Sequence, residues 1–226
     1  MPHFSPALFK FLRNLAANNN REWFQANKAR YQEVLQQPAL TFISDFAPRL
    51  ANLSKHFVAD PRPVGGSLFR IYRDTRFSKD KSPYKTNTGI HFRHEAAKDA
   101  HAPGFYLHLE PGQCFVGVGL WHPDSGTAGQ IRQSIVDRSA VWKRSTRRKA
   151  FTTVFTLAGD SLKRPPRGFD PDHPLLEDLK RKDFIATVKL SQKEIVAPGL
   201  IKQVTNTFRA GAPMMRFLCQ AVGVPY

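Results

Sequence analysis

The sequence predicts an α+β fold, a mainly antiparallel sheet covered by N-terminal and C-terminal helices. Three observations carry this. Apolar residues recur at helical spacing through the first third, the period changes to two between Val64 and Trp121, and Pro111-Gly112 joins two alternating runs as a tight hairpin turn. A length of 226 residues with 41% hydrophobic content is enough to bury a full core, so one domain over 1–226 is expected. Its parts are a helical layer at 1–60, a sheet core at 64–124, and helices, a proline-rich loop and one further strand at 125–226.

Ser5-Pro6 is an N-cap followed by proline at the first helical position, so a helix is predicted over Ser5–Ala17, ending in Asn18-Asn19-Asn20. A second helix, Arg21–Leu35, aligns Trp23, Phe24, Tyr31, Val34 and Leu35, and Pro38 ends or kinks it. A third is expected from Ala39 to Leu53, interrupted by Pro48. Strands are predicted at Ser67–Thr75, Thr86–Arg93, Gly104–Glu110 and Gln113–Trp121. The two-residue Pro111-Gly112 loop sets the register of the last pair, with Tyr106 opposite Gly117 and His108 opposite Phe115. Parity then places Phe105, Leu107, Leu109, Cys114, Val116, Val118 and Leu120 on one face. The reverse carries Tyr106, His108, Glu110, Phe115, Gly117, Gly119 and Trp121. Two strand-interior glycines on that face admit two readings, a covering helix or sheet bend, or a groove floored by Gly117 and Gly119 and walled by Tyr106, His108 and Trp121.

Ser125 or Thr127 is suited to cap the next helical stretch, Gln130–Phe151, whose apolar stripe is Ile131, Ile135 and Trp142. Five cations fall within Lys143–Lys149, and the basic helix Arg138–Lys149 reads either as a solvated face or as a footprint for nucleic acid. The proline-rich run Leu162–Phe184 includes His173 and is either functional or pinned by specific contacts. Phe184–Leu190 alternates as a last strand. Ser191 caps a helical region from Gln192 onward, which Pro198 and Pro213 interrupt before the chain closes.

A net charge of +16 implies attraction to phosphate-rich partners. No apolar run approaches the roughly 20 residues of a membrane span, and no signal-peptide pattern opens the chain, so a cytoplasmic protein with no membrane partner is expected. Cys114 and Cys219 suit buried thiols better than a bridge. His91 and His94, three apart on a strand, point to opposite faces. No C-x-x-C, H-E-x-x-H, G-x-S-x-G, Walker or strand-to-helix G-x-G-x-x-G pattern occurs, so neither metal nor cofactor is expected.

The densest chemistry lies in FRIYRDTRFSKDKSPYK, Phe69 to Lys85, where six cations interleave with aromatics. Strand alternation there puts Arg70, Tyr72, Asp74 and Arg76 on one face and Phe69, Ile71, Arg73, Thr75 and Phe77 on the other. Arg70, Arg73, Arg76, Lys81 and Lys85 are candidates to cradle an anion, since a guanidinium matches phosphate or carboxylate oxygens two at a time. Tyr72, Tyr84, His108 and His173 are candidate ligand contacts, and Asp74 a candidate general acid or base. The opposing reading is an internal ion-pair network in which Asp74 and Asp80 neutralise the arginines.

RDTRFSKDKSPYKTN (Arg73–Asn87), NNREWF (Asn19–Phe24), GFYLHLEPGQCFVGVGLWHPD (Gly104–Asp124) and RPPRGFDPDHPLLEDLKRKDF (Arg164–Phe184) together resemble the conserved-hypothetical, domain-of-unknown-function family of bacteria and fungi with the RDxRFSxDKxPYK signature. The resemblance implies a single cytoplasmic α+β domain and no mechanism. From the charged run at Phe69–Lys85, the expected function is binding of a phosphate-bearing or other anionic small molecule, with turnover left open. Nucleic-acid binding through the basic helix and a structural arginine network are the alternatives.

Overall fold

The computed structural model describes residues 1–96 and 102–226. Helix α1 (Pro6–Ala17) starts where Ser5-Pro6 places it. The next apolar pattern does not run as one helix. It divides at Asn27, whose side-chain amide donates to the Trp23 carbonyl at 2.9 Å, into α2 (Arg21–Ala26) and α3 (Lys28–Tyr31). A π-helical turn, Gln32–Gln36, leads directly into α4 (Gln37–Ala51). Pro38 does not end the helical path: the backbone is helical on both sides of the junction, with Gln36 at φ −64°, ψ −57°, and the wide π-turn immediately before it accommodates the missing N–H.

The sheet is antiparallel throughout, with strand order β1-β2-β3-β5-β4. Its strands are β1 (Thr88–Arg93), β2 (Gly104–Leu109), β3 (Cys114–Leu120), β4 (Thr156–Ala158) and β5 (Phe184–Leu190). The β2–β3 register is the predicted one, with Tyr106 opposite Gly117 and His108 opposite Phe115. Gly112 adopts φ +83°, as the second central position of a type II turn requires. Three-residue β4, half-exposed at the sheet edge, is too short to leave a periodic signal in the sequence.

Ser67–Thr75 is not a ladder strand. Its backbone meets β1 at Phe69 N to Gly89 O (2.9 Å) and His91 N to Ser67 O (2.8 Å), then leaves the sheet and pairs with its own return segment. Arg73 N donates to Pro83 O and Lys85 N to Ile71 O, around the isolated Tyr72–Tyr84 bridge. Pro83 has no N–H to extend that pairing, so a projecting arm forms instead of a sixth strand. Phe77, expected on one face with Phe69 and Ile71, is 95% exposed at the arm's tip.

The apolar sheet face is fully buried under α10 (Leu200–Ala221) and α4, where Phe46, Phe92, Phe105 and Phe208 meet ring to ring at 4.7–6.1 Å. Pro213 does not break α10. It lies on the exposed side of the helix, while buried Met214, Met215, Phe217 and Leu218 anchor the turns around it.

The predicted Gln130–Phe151 helix is three: α5 (Ser125–Asp137), α6 (Ser139–Thr146) and α7 (Lys149–Thr152). Asp124, not Ser125 or Thr127, caps α5, its carboxylate accepting from Gly126 N at 2.8 Å and Thr127 N at 3.0 Å. The proline-rich run contains α8 (Leu176–Leu179) and is pinned from outside. Arg132 donates to the carbonyls of Leu179 and Arg181 at 2.7 and 2.8 Å, and Arg147 pairs with buried Asp178 at 2.6 Å. Ser191 and Glu194 form a capping box on α9 (Gln192–Ile195).

Candidate functional site

Because side chains alternate across a strand, every second residue of four adjacent strands shares the sheet face turned away from α10. β1 contributes Gly89 and His91, β2 Tyr106 and His108, β3 Phe115, Gly117 and Gly119, and β5 Ile185 and Thr187. This face forms a hollow of about 670 Å³, to which the arm adds Phe69, Arg73, Asp74 and Lys85 and the end of β3 adds Trp121. The groove reading of the glycines thus holds for Gly117, where an added Cβ would have no neighbour closer than 3.8 Å. Gly119 lines the hollow too, and it also marks a bend. It has φ +126° and lies against the β5 backbone, where a Cβ would overlap the Phe184 carbonyl oxygen.

The hollow is aromatic on its floor and walls and polar at defined points. Phe115 stacks on His108 at 4.6 Å and 17°, and the Phe69 ring lies 6.0 Å from Tyr106 and 5.8 Å from His91. Trp121 stacks on His122 at 4.2 Å. His122 is the one non-glycine with positive φ among the described residues (+47°), held by buried Asp183, which accepts from its backbone N at 2.9 Å and faces its Nδ1 at 2.8 Å.

Along β2 and one residue past its end, Tyr106, His108 and Glu110 form a hydrogen-bonded line. His108 Nε2 lies 3.0 Å from Glu110 Oε2, and Tyr106 Oη lies 3.0 Å from His108 Nδ1. A carboxylate only accepts, so Nε2 carries the proton, Nδ1 is the acceptor, and the Tyr106 hydroxyl donates to it. Burial, reinforced by the Glu110 charge, raises the Tyr106 pKa and keeps the phenol neutral. Gly89 makes room for that hydroxyl, since a Cβ there would collide with Tyr106 Oη. Likewise Gly104 leaves space for His91, whose burial and, secondarily, neighbouring Arg93 lower its pKa to about 4.

On the arm, the Lys85 ammonium lies 5.5 Å over the Phe69 ring and donates to the Arg70 carbonyl at 3.1 Å. Burial, then the nearby Arg70 charge, lowers its pKa. Arg73 pairs with Asp80, and Asp74 accepts from Arg76 at 2.6–3.2 Å, which holds its carboxyl at about 2.

Of the residues singled out in the sequence, Arg73, Asp74, Lys85 and His108 come together on the hollow. Arg70, Tyr72, Arg76 and Lys81 lie on the exposed side of the arm, Lys81 donating to the Thr75 carbonyl at 2.9 Å. Tyr84 is a core residue, 2% exposed and stacked on Phe24 at 4.1 Å. His173 stays in its loop, accepting from Leu175 N at 3.1 Å. Sequence reasoning misses His91, Asn87, Ile185 and Thr187 as lining residues. For His91 the signal is present, since Gly89-x-His91 on a predicted strand has the parity of Tyr106-x-His108. Among the described residues no three His, Cys, Asp or Glu side chains converge as metal ligands.

Residues 7–217 match a family described as conserved hypothetical protein, DUF2461. The chain belongs to this family. The DUF2461 match spans the arm, all five strands and most of α10, so the whole hollow lies inside it. No curated protein matches the chain. No helix among the described residues is long and apolar enough to cross a membrane.

Proposed function

We propose that this DUF2461 protein binds a small organic anion with a flat apolar body, seated between Phe115, Trp121 and Phe69, its negative group directed to Lys85 and Arg73. The observation that carries this reading is the Lys85 ammonium, partly withdrawn from water at the wall of an aromatic hollow with no carboxylate within ion-pair distance among the described residues. An anionic ligand relieves that desolvation, and the rings supply stacking area. Cations on the basic segment are partly engaged elsewhere: Arg147 with Asp178, and Arg138 with Gln220 and the Phe217 ring. The arm's ion pairs are exposed and local, unlike an internal network holding the core. Two buried free thiols, Cys114 and Cys219, fit a reducing cytoplasm.

Titration calorimetry with phenyl phosphate and inorganic phosphate tests the reading. The aryl ester is expected to bind at least about tenfold tighter, and Lys85→Met to weaken it about tenfold, as for a charge-assisted contact of roughly 1.5 kcal/mol. Equal binding of the two anions, or an unchanged affinity in Lys85→Met, refutes it. Oligonucleotide binding that falls steeply with salt and is lost in Arg144→Ala/Arg148→Ala would move the function to the basic segment.

A further inference from the structure

Resting on the binding reading above, we propose that the hollow is catalytic, Tyr106 being the group that removes a proton from the bound anion. The Tyr106–His108–Glu110 line has a direction. Glu110 fixes the imidazole with Nε2 protonated, and Nδ1 is then the only ring atom able to take the tyrosine proton. Both Tyr106 and His108 line the hollow, whereas Glu110 stands behind His108. The order is substrate, phenol, imidazole, carboxylate, the arrangement of a nucleophile-and-base relay with tyrosine in first place.

In the forward step a C–H bond of the substrate breaks, its proton passes to Tyr106 Oη, and the phenolic proton moves to His108 Nδ1. The electron pair stays on the substrate as an enolate, and the imidazolium faces Glu110. Reversal returns a proton to the same or an adjacent carbon, so enolisation, isomerisation or hydrogen exchange closes without any co-reactant. The substrate class is a flat anion with a C–H acidified by a neighbouring carbonyl, an aromatic oxo acid being the simplest member. The Phe69 ring lies 6.0 Å from Tyr106 and 5.5 Å beneath the Lys85 ammonium, so proton acceptor and cation flank the same ring. Lys85 is thereby placed to offset the negative charge the enolate gains.

Phenylpyruvate in D₂O provides the test, with C3 deuterium incorporation followed by NMR against buffer and binding measured separately by titration. Exchange at least about a hundredfold above buffer is expected for the wild type. Tyr106→Phe is expected to abolish it with the dissociation constant unchanged within about twofold. His108→Gln, which removes the final proton acceptor, is expected to abolish exchange, and Glu110→Gln, which alters a positioning group, to lower the rate at saturating phenylpyruvate; both leave half-saturation in place. Saturable binding without accelerated exchange, or full exchange in Tyr106→Phe, overturns the catalytic assignment and leaves the binding reading standing. Absence of phenylpyruvate binding overturns both for this class of anion.

Discussion

Between pH 6.5 and pH 4 the protein is expected to lose roughly 3 kcal/mol of stability through one side chain, His91. Its pKa falls from 6.5 to about 4 on folding, because burial disfavours the imidazolium and Arg93 repels it. In that interval the unfolded chain binds a proton that the native state refuses, so stability falls as the pH is lowered. The contribution is complete above the unfolded value, is lost progressively on the way down to about 4, and does not change further below it. At about 1.36 kcal/mol per pH unit the interval amounts to roughly 3 kcal/mol. Asp74, held at about 2 by Arg76, keeps its charge throughout. Urea unfolding of the wild type and His91→Gln at pH 7.5 and 4.5 checks this, with the difference between the two proteins cancelling every other titration. Equal acid losses in both would contradict it.

The second large effect separates two glycines on the same face of β3. Gly119→Val is expected to cost about 3 kcal/mol or more. The residue combines φ +126° with a site where a Cβ would overlap the Phe184 oxygen and lie 2.8 Å from Ile185 Cα, both main-chain atoms that cannot step aside. Gly117→Val should go the other way. With ordinary strand geometry and nothing within 3.8 Å, the added side chain removes the roughly 0.5–1 kcal/mol penalty of a strand-interior glycine. It also projects into the hollow, so phenyl phosphate affinity should drop at least about tenfold. Stability and affinity are therefore expected to change in opposite directions at Gly117. A destabilised Gly117→Val, or one that binds as the wild type does, would show that the space beside Gly117 is not the ligand's.

Much of the architecture is legible in local chemistry. The Pro111-Gly112 turn needs only its own φ preferences to lock β2 against β3, and a locked register assigns every side chain of both strands to a face. The core face and the hollow face come from parity alone, as does the siting of Tyr106, His108, Gly117 and Trp121 on one surface. Where expectation fails, the causes are competing local effects. Asn27 divides the second helix, Pro83 denies the arm its ladder, and Asp124 out-competes the hydroxyls as a cap.

Alternation ranks residues by face but carries no information about distance between segments far apart in the chain. That is why Arg70, Arg73, Arg76, Lys81 and Lys85 look equivalent in a charged run, yet Arg73 and Lys85 line the hollow while the other three face solvent. It is also why Tyr84 passes for a ligand contact although it stacks on Phe24 of α2, in a remote part of the chain. Turn and strand preferences act over a few bonds and can be read directly from neighbouring residues. The choice between an ion pair, a core ring and an open wall depends on which remote side chain fills the adjacent space, and only packing settles that.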